Sequence, residues 1–236
     1  MKIEVLYPEI CCLFGDKANM RYLELCLPQA EFIKTPVSEM PRFLTEDVDM
    51  VYIGSCSESN QERILERLKG NKQRVEELVD KGTVFLLTGN AFEIMGDYIE
   101  TPDGKKIEGL GIVGFYAKRT IPKRNNSLFL GKFDDMEIVG YTSRFSHAYG
   151  IKNEDGFVNV TKGYGSYIDS KIEGIRKNNL YGTYLLGPFL IQNPLFTEYL
   201  MKQLGVEAPE LAFKDEIMKA YEVRLAEFKR DIVFAE

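Results

Sequence analysis

His147 is the only histidine in this chain of 236 residues, and tryptophan is absent. A lone imidazole excludes His-rich metal sites, and no metal or other cofactor is expected. Cysteine is scarce too. Cys11, Cys12, Cys26 and Cys56 show neither paired metal-ligand spacing nor a disulfide framework, and the first three read as buried small apolar residues. No apolar run approaches the roughly 18–20 residues of a membrane helix. The amino end, from Met1 to Pro8, alternates like a strand and lacks the apolar core of a signal peptide. A cytoplasmic protein with no membrane insertion is expected. Positive charge is thinly spread, with a formal net charge of −6. The densest basic stretch, Lys118-Arg119 to Lys123-Arg124, reads as a solvated loop, so nucleic acid is not an expected partner.

What the chain does have is alternation of strand and helix signals. Strands are expected at Ile3–Tyr7, Ala30–Lys34, Asp49–Ile53 and Thr83–Leu87. Between them, Asn19–Leu27 reads as a helix stopped by Pro28. An amphipathic helix carries Ile64, Leu65, Leu68, Val75, Leu78 and Val79 on one side; it is open to interruption near Gly70 and ends at Gly82. Such alternation marks βαβ units around a parallel sheet. The second half is richer in strands: 112–116, 128–130, 136–141, 157–162 and 181–186. Asp103-Gly104, Gly131 and Asp155-Gly156 supply its turns. Asn193 is a candidate cap for a helix with Pro194 at its first position. A last helix presents Ile217, Tyr221, Leu225, Phe228 and Ile232 as one apolar stripe. The expected architecture is α/β, a mostly parallel central sheet with flanking helices, as one domain over residues 1–236.

The segment from Lys81 to Gly96 has the form of a nucleophile mount. An apolar β-rich run ends in the sharp turn Thr88-Gly89-Asn90, and Ala91–Met95 leads off like a helix. In hydrolases of this design a Cys or Ser at the tip stands over the carboxyl end of the sheet, beside backbone N–H groups. Here the tip residue is Gly89.

Leu6-Tyr7-Pro8 with Gly15-Asp16-Lys17-Ala18-Asn19, then Gly54 to Gln61, then Thr101-Pro102-Asp103-Gly104 and Glu108-Gly109-Leu110-Gly111-Ile112 occur in that order. Gly163-Tyr164-Gly165, Glu173-Gly174, Gly182-Thr183-Tyr184-Leu185, Gly187-Pro188 and Asn193-Pro194 continue the series. Over about 190 residues it resembles the class I glutamine amidotransferases of the cobyric acid synthase type. Among them it is most similar to the branch of glutaminase subunits of bacterial lipid II isoglutaminyl synthase, which amidates peptidoglycan. The resemblance implies a flavodoxin-like three-layer sandwich and a partner synthetase with the fold of a Mur ligase.

That branch's elbow, "ICGGYQFLG", lies without gaps on Thr88–Gly96, so its nucleophilic Cys falls on Gly89. Its "GTYLHGP" lies on Gly182–Pro188, so its general-base His falls on Leu186. A basic residue near its glutamine pocket falls on His147. Glutamine hydrolysis needs a thiolate, an oxyanion hole and a proton carrier. Glycine cannot attack, and leucine carries no proton. Thr88 offers a weak hydroxyl on the opposite face of its strand. The leading expectation is therefore an amidotransferase-like subunit without glutaminase activity. Two alternatives stand beside it. In one, Cys56 is a relocated nucleophile with His147 as a distant base. In the other, the chain is a binding module whose pocket, formed by Gly54, Ser55, Cys56, Gly89, Asn90, His147 and Leu186, holds glutamine or another small ligand. Backbone N–H groups at Gly54, Ser55, Gly89 and Asn90 are expected to face that crevice.

Overall fold

Period-two burial organises the first strands. In the computed structural model, which describes residues 1–235, they are β1 (Lys2–Leu6), β2 (Glu31–Thr35), β3 (Met50–Ile53) and β4 (Val84–Thr88). Met50, Tyr52, Val84 and Leu86 enter the apolar cluster on one face of the sheet, and Val51, Ile53, Phe85 and Leu87 the cluster on the other. Both faces are covered, so the strands read as nearly continuous apolar runs. Helices α1 (Lys17–Cys26), α2 (Glu58–Leu68) and α3 (Lys72–Asp80) intervene. The break between α2 and α3 falls at Gly70, whose φ of +79° suits glycine.

Past β4 the chain builds β5 (Tyr98–Glu100), β6 (Lys106–Glu108), β7 (Tyr116–Arg119), β8 (Asn125–Phe133), β9 (Met136–Arg144) and β10 (Ser146–Tyr149). Next come β11 (Gly156–Gly163), β12 (Ile172–Lys177), β13 (Leu180–Thr183), α4 (Phe189–Gln192), α5 (Pro194–Gln203) and α6 (Lys214–Lys229). Among the described residues the main sheet has the order β2-β1-β3-β4-β13-β12-β11-β8-β9. Pairing is parallel from β2 to β13 and antiparallel from β13 to β9. A smaller sheet, β10-β7-β5-β6, packs with α2 and α3 on one side, while α1, α4 and α5 cover the other. No helix among the described residues is long and apolar enough to cross a membrane.

Several local expectations are corrected. Residues 112–115 are a buried loop before β7 rather than a strand. Gly131 lies inside β8, not at a turn: a Cβ there would stand 2.6 Å from the Asn159 carbonyl oxygen, so the crossing with β11 demands glycine. Asn193 does not cap α5 through its side chain. Its Oδ1 accepts from Val139 N at 2.8 Å and its Nδ2 donates to Val139 O at 2.9 Å, pinning the helix to β9. The apolar stripe of α6 stops short of Ile232, which lies past the helix end and is exposed. Tyr221 is the buried member, its hydroxyl donating to Glu137 O at 2.7 Å.

Candidate functional site

Three loops meet at the carboxyl edge of the parallel strands, and a buried carboxylate joins them. Asp16, just before α1, accepts through Oδ2 from Ser55 N at 2.6 Å and from Thr88 Oγ1 at 2.7 Å. The Gly187 backbone also donates to it. One side chain thus ties together the ends of β3, β4 and β13. Burial pushes its pKa up, against the pull of those donors. Thr88 is fully occupied in this web, with its hydroxyl also 3.1 Å from the Tyr52 hydroxyl.

The turn after β4 is a one-residue reversal at Gly89, whose φ of +60° lies in the left-handed region. The elbow continues as a helix, as expected, of the 3-10 type over Gly89–Met95. A Cβ on Gly89 would stand 2.5 Å from Ser55 Cβ and 3.1 Å from Leu186 Cδ2. The tip of the elbow is therefore filled from outside. Gly54 is packed as tightly, since a Cβ there would meet Cys11 O at 2.5 Å. The backbone donors of this loop are committed within the protein: Ser55 N to Asp16, and Cys56 N to Asn90 Oδ1 at 3.1 Å.

Ser55, Cys56, Gly89, Asn90 and Leu186 line one cavity of about 230 Å³. Gly54 and His147 are not among its lining residues. Glu58, Arg124, Arg144, Phe145 and Tyr184 are, and none of these five was singled out from the sequence for this site. Cys56 is buried, its Sγ 3.7 Å from Asn90 Oδ1. A hydrogen bond with Cys11, and then burial, push its thiol well above the ordinary range, so it carries its proton at neutral pH. His147 sits in β10 with Nδ1 3.5 Å from Arg144 Nη2. Burial first, then the charges of Arg144 and Lys123, lower its pKa to about 4, which leaves the imidazole neutral. The hydrogen bonds recorded for Cys56 and His147 run to other groups, not to each other.

Beneath the cavity lies a second buried carboxylate. Glu93 accepts from Ser146 Oγ, from Tyr184 OH at 2.8 Å and from Gln61 Nε2 at 2.8 Å. Gln61 also donates to Asn90 O at 2.6 Å and accepts from Arg119 Nη2 at 3.0 Å. This network links α2, the elbow and the small sheet. Gln61, Glu93 and Tyr184 all fall within segments that carry the family resemblance, though none was given a role there.

Glu173, in β12, holds the end of β13 that leads to Leu186. It accepts from Thr183 Oγ1 at 2.7 Å and from Tyr184 N at 2.6 Å. Burial raises its pKa from 4.5 to about 7. A raised carboxyl pKa means the folded state holds a proton that the unfolded chain has released. The associated stability is fully present below pH 4.5 and is lost as pH rises through 7. Wild type should therefore lose about 3 kcal/mol relative to Glu173→Gln between pH 4.5 and 8. Urea denaturation of both proteins at the two pH values measures this, and a difference independent of pH would refute it.

Comparison with known proteins agrees with this architecture. A protein named lipid II isoglutaminyl synthase (glutamine-hydrolyzing) subunit GatD, from Staphylococcus aureus (strain N315), is 30% identical over 167 residues, covering 71% of this chain and 68% of its own. The protein of the same name from Streptococcus pneumoniae (strain ATCC BAA-255 / R6) is 26% identical over 228 residues, covering 91% and 86%. In fold, the chain resembles a crystal structure described as a glutamine amidotransferase. The TM-score is 0.57 at 13% identity, and 86% of this chain and 99% of the other are covered. Residues 2–194 match the CobB/CobQ-like glutamine amidotransferase domain, and the chain belongs to that family.

Proposed function

We propose that this chain is the amidotransferase-like subunit of a carboxylate-amidating ligase acting on peptidoglycan precursors, and that it does not hydrolyse glutamine itself. The lack of hydrolysis is carried by one observation: Gly89 lies in a left-handed turn, with Ser55 and Leu186 packed where a nucleophile would stand. The subunit role rests on the GatD relatives. The resemblance implies a partner with the fold of a Mur ligase, which activates a carboxylate with ATP and forms the amide from ammonia. This chain then serves to stabilise or regulate that synthetase, within the cytoplasm.

Co-expression with the candidate synthetase and assay of the purified pair tests this. Amidation is expected with ammonium salts and not with glutamine, and the synthetase alone should be less stable or less active. Glutamine-driven amidation at ordinary enzyme rates, or failure of the two chains to associate, would overturn the proposal. The relocated-nucleophile reading is disfavoured by the protonated, buried Cys56 thiol. Labelling of Cys56 by a glutamine-mimicking electrophile would revive it.

A further inference from the structure

A second cavity, of about 510 Å³, opens on the α1 side of the main sheet and shares no lining residue with the one at Gly89. It stands at the carboxyl end of β1, with α1 as one wall and the loop after β1 as the other. The chain leaves β1 for β2 on one side and then crosses to β3 on the other, both in parallel. Such a reversal of strand order opens a crevice, the usual place for a ligand in an open α/β sheet. The size falls within the roughly 300–1,000 Å³ of small-molecule sites.

Its floor is carbon and sulfur. Val5 from β1, Met20 from α1, Tyr52 from β3 and Cys11 from the loop after β1 are nearly buried, yet all line it. The one hydroxyl, on Tyr52, is already engaged with Asn19 Nδ2 at 3.0 Å, Asp16 O at 3.2 Å and Thr88 Oγ1 at 3.1 Å. The Cys11 thiol is hydrogen-bonded with Cys56. A polar ligand body would give up water here and find no partner, whereas an alkyl chain gives up nothing. The mouth is ionic instead. Glu24 on α1 accepts from Lys34 Nζ at 2.9 Å and from Arg21 Nη1 at 3.0 Å. Glu9 Oε1 accepts from Val37 N. Lys17 is exposed and makes no salt bridge among the described residues. Lys17, Arg21 and Lys34 against Glu9 and Glu24 leave one positive charge in excess at the mouth.

We propose that this cavity binds a free, small anionic amphiphile, an alkyl chain ending in one carboxylate, with the chain laid on Val5, Met20 and Tyr52 and the carboxylate held at the mouth beside Lys17. The floor rejects polar bodies because it offers no free donor or acceptor. The mouth rejects a cationic head, which Lys17 would repel. The inference uses no residue of the Gly89 cavity and no partner chain, so its failure would leave the proposed subunit role standing.

Octanoate, hexanoate, octanamide and octylammonium are the probes, titrated against the whole chain by calorimetry at constant ionic strength. Octanoate should bind about 15-fold more tightly than hexanoate, the effect of burying two methylenes at about 0.8 kcal/mol each. It should also bind more tightly than octanamide, with octylammonium weakest. Lys17→Glu should reverse the order of octanoate and octylammonium, and it should fold, because a glutamate suits the first turn of a helix. In wild type with ¹³C-labelled methionine methyl groups, the Met20 resonance should move on adding octanoate, which locates the ligand without any variant. Equal affinity for hexanoate and octanoate, octylammonium bound as tightly as octanoate, an unchanged order in Lys17→Glu, or a stationary Met20 methyl would each overturn the proposal. Sedimentation with phosphatidylglycerol vesicles and no response to free octanoate would overturn it too, by assigning the surface to a membrane.

Discussion

A Gly89→Cys, Leu186→His double variant is expected to release no more ammonia from glutamine than wild type does. Restoring the two side chains that the family uses looks sufficient on paper. The structure says otherwise, because the first atom added at position 89 would lie 2.5 Å from Ser55 Cβ. Ser55 cannot simply swing away: its amide is held by Asp16 at 2.6 Å and its hydroxyl donates to Leu13 O at 2.9 Å. The elbow also keeps its φ of +60°, where a non-glycine side chain adds strain. Adding Ser55→Gly removes the obstructing Cβ. The triple variant should then exceed the double by roughly 10²-fold or more, the scale on which a positioned base and nucleophile contribute. A coupled ammonia assay reads all three proteins. A double variant as active as the triple would show that the packing around Gly89 is not the barrier. Wild-type turnover in the usual range of about 1–10³ s⁻¹ would end the inactive-subunit proposal altogether.

Asp16→Ala should cost about 4 kcal/mol of unfolding free energy, a large share of the roughly 5–15 kcal/mol typical of a folded domain. Four buried donors lose an acceptor at once: Ser55 N, Thr88 Oγ1, Asn19 Nδ2 and the Gly187 backbone. Each orphaned donor costs about 1–3 kcal/mol, set against relief from carrying a desolvated carboxyl. Asp16→Asn keeps the shape and one acceptor oxygen, so its loss should be about half as large. The sign with pH is set by burial, which raises this pKa in the folded state. Wild type should gain on Asp16→Asn as pH falls and lose ground as it rises. Urea denaturation measures both variants. A loss under about 1 kcal/mol for Asp16→Ala, within the range of an ordinary substitution, would mean that the three loop ends are held by something else.

The regions of the fold legible in the sequence were those governed by local periodicity. Alternating burial in β3 and β4, the paired stripes of α2 and α3, and the stop at Gly82 arise from side chains that meet their own neighbours along the chain. The elbow at Gly89 was legible for the same reason, being one strand, one turn and one helical segment. The misreadings share a different cause. Residues 112–115 carry strand-like side chains, but Ile112, Val113 and Phe115 are buried as an irregular loop against the core. Gly131 looked like a turn because glycine's other use, close approach of another backbone, depends on β11, almost thirty residues away in sequence. The strands β5 and β6, three residues each, carry too few residues to show a period.

The candidate site divides along the same line. Ser55, Cys56, Gly89, Asn90 and Leu186, named from the sequence, do line one cavity, while Arg144, Glu93 and Asp16 were not given roles there. A buried charge leaves no local pattern; its meaning lies in partners such as Tyr184, Gly165 and Gly187, which the sheet alone brings near. By itself the sequence determined the α/β alternation, the empty elbow tip and the absence of an imidazole at position 186, since these depend on residue identity and spacing. Tertiary structure alone decided that Ser55 closes the vacancy, that the Cys56 thiol stays protonated and that the Arg144 guanidinium is buried with no carboxylate among the described residues in salt-bridge distance. Desolvation and contact distance are properties of the assembled packing, and they set the chemistry of a side chain once it is buried.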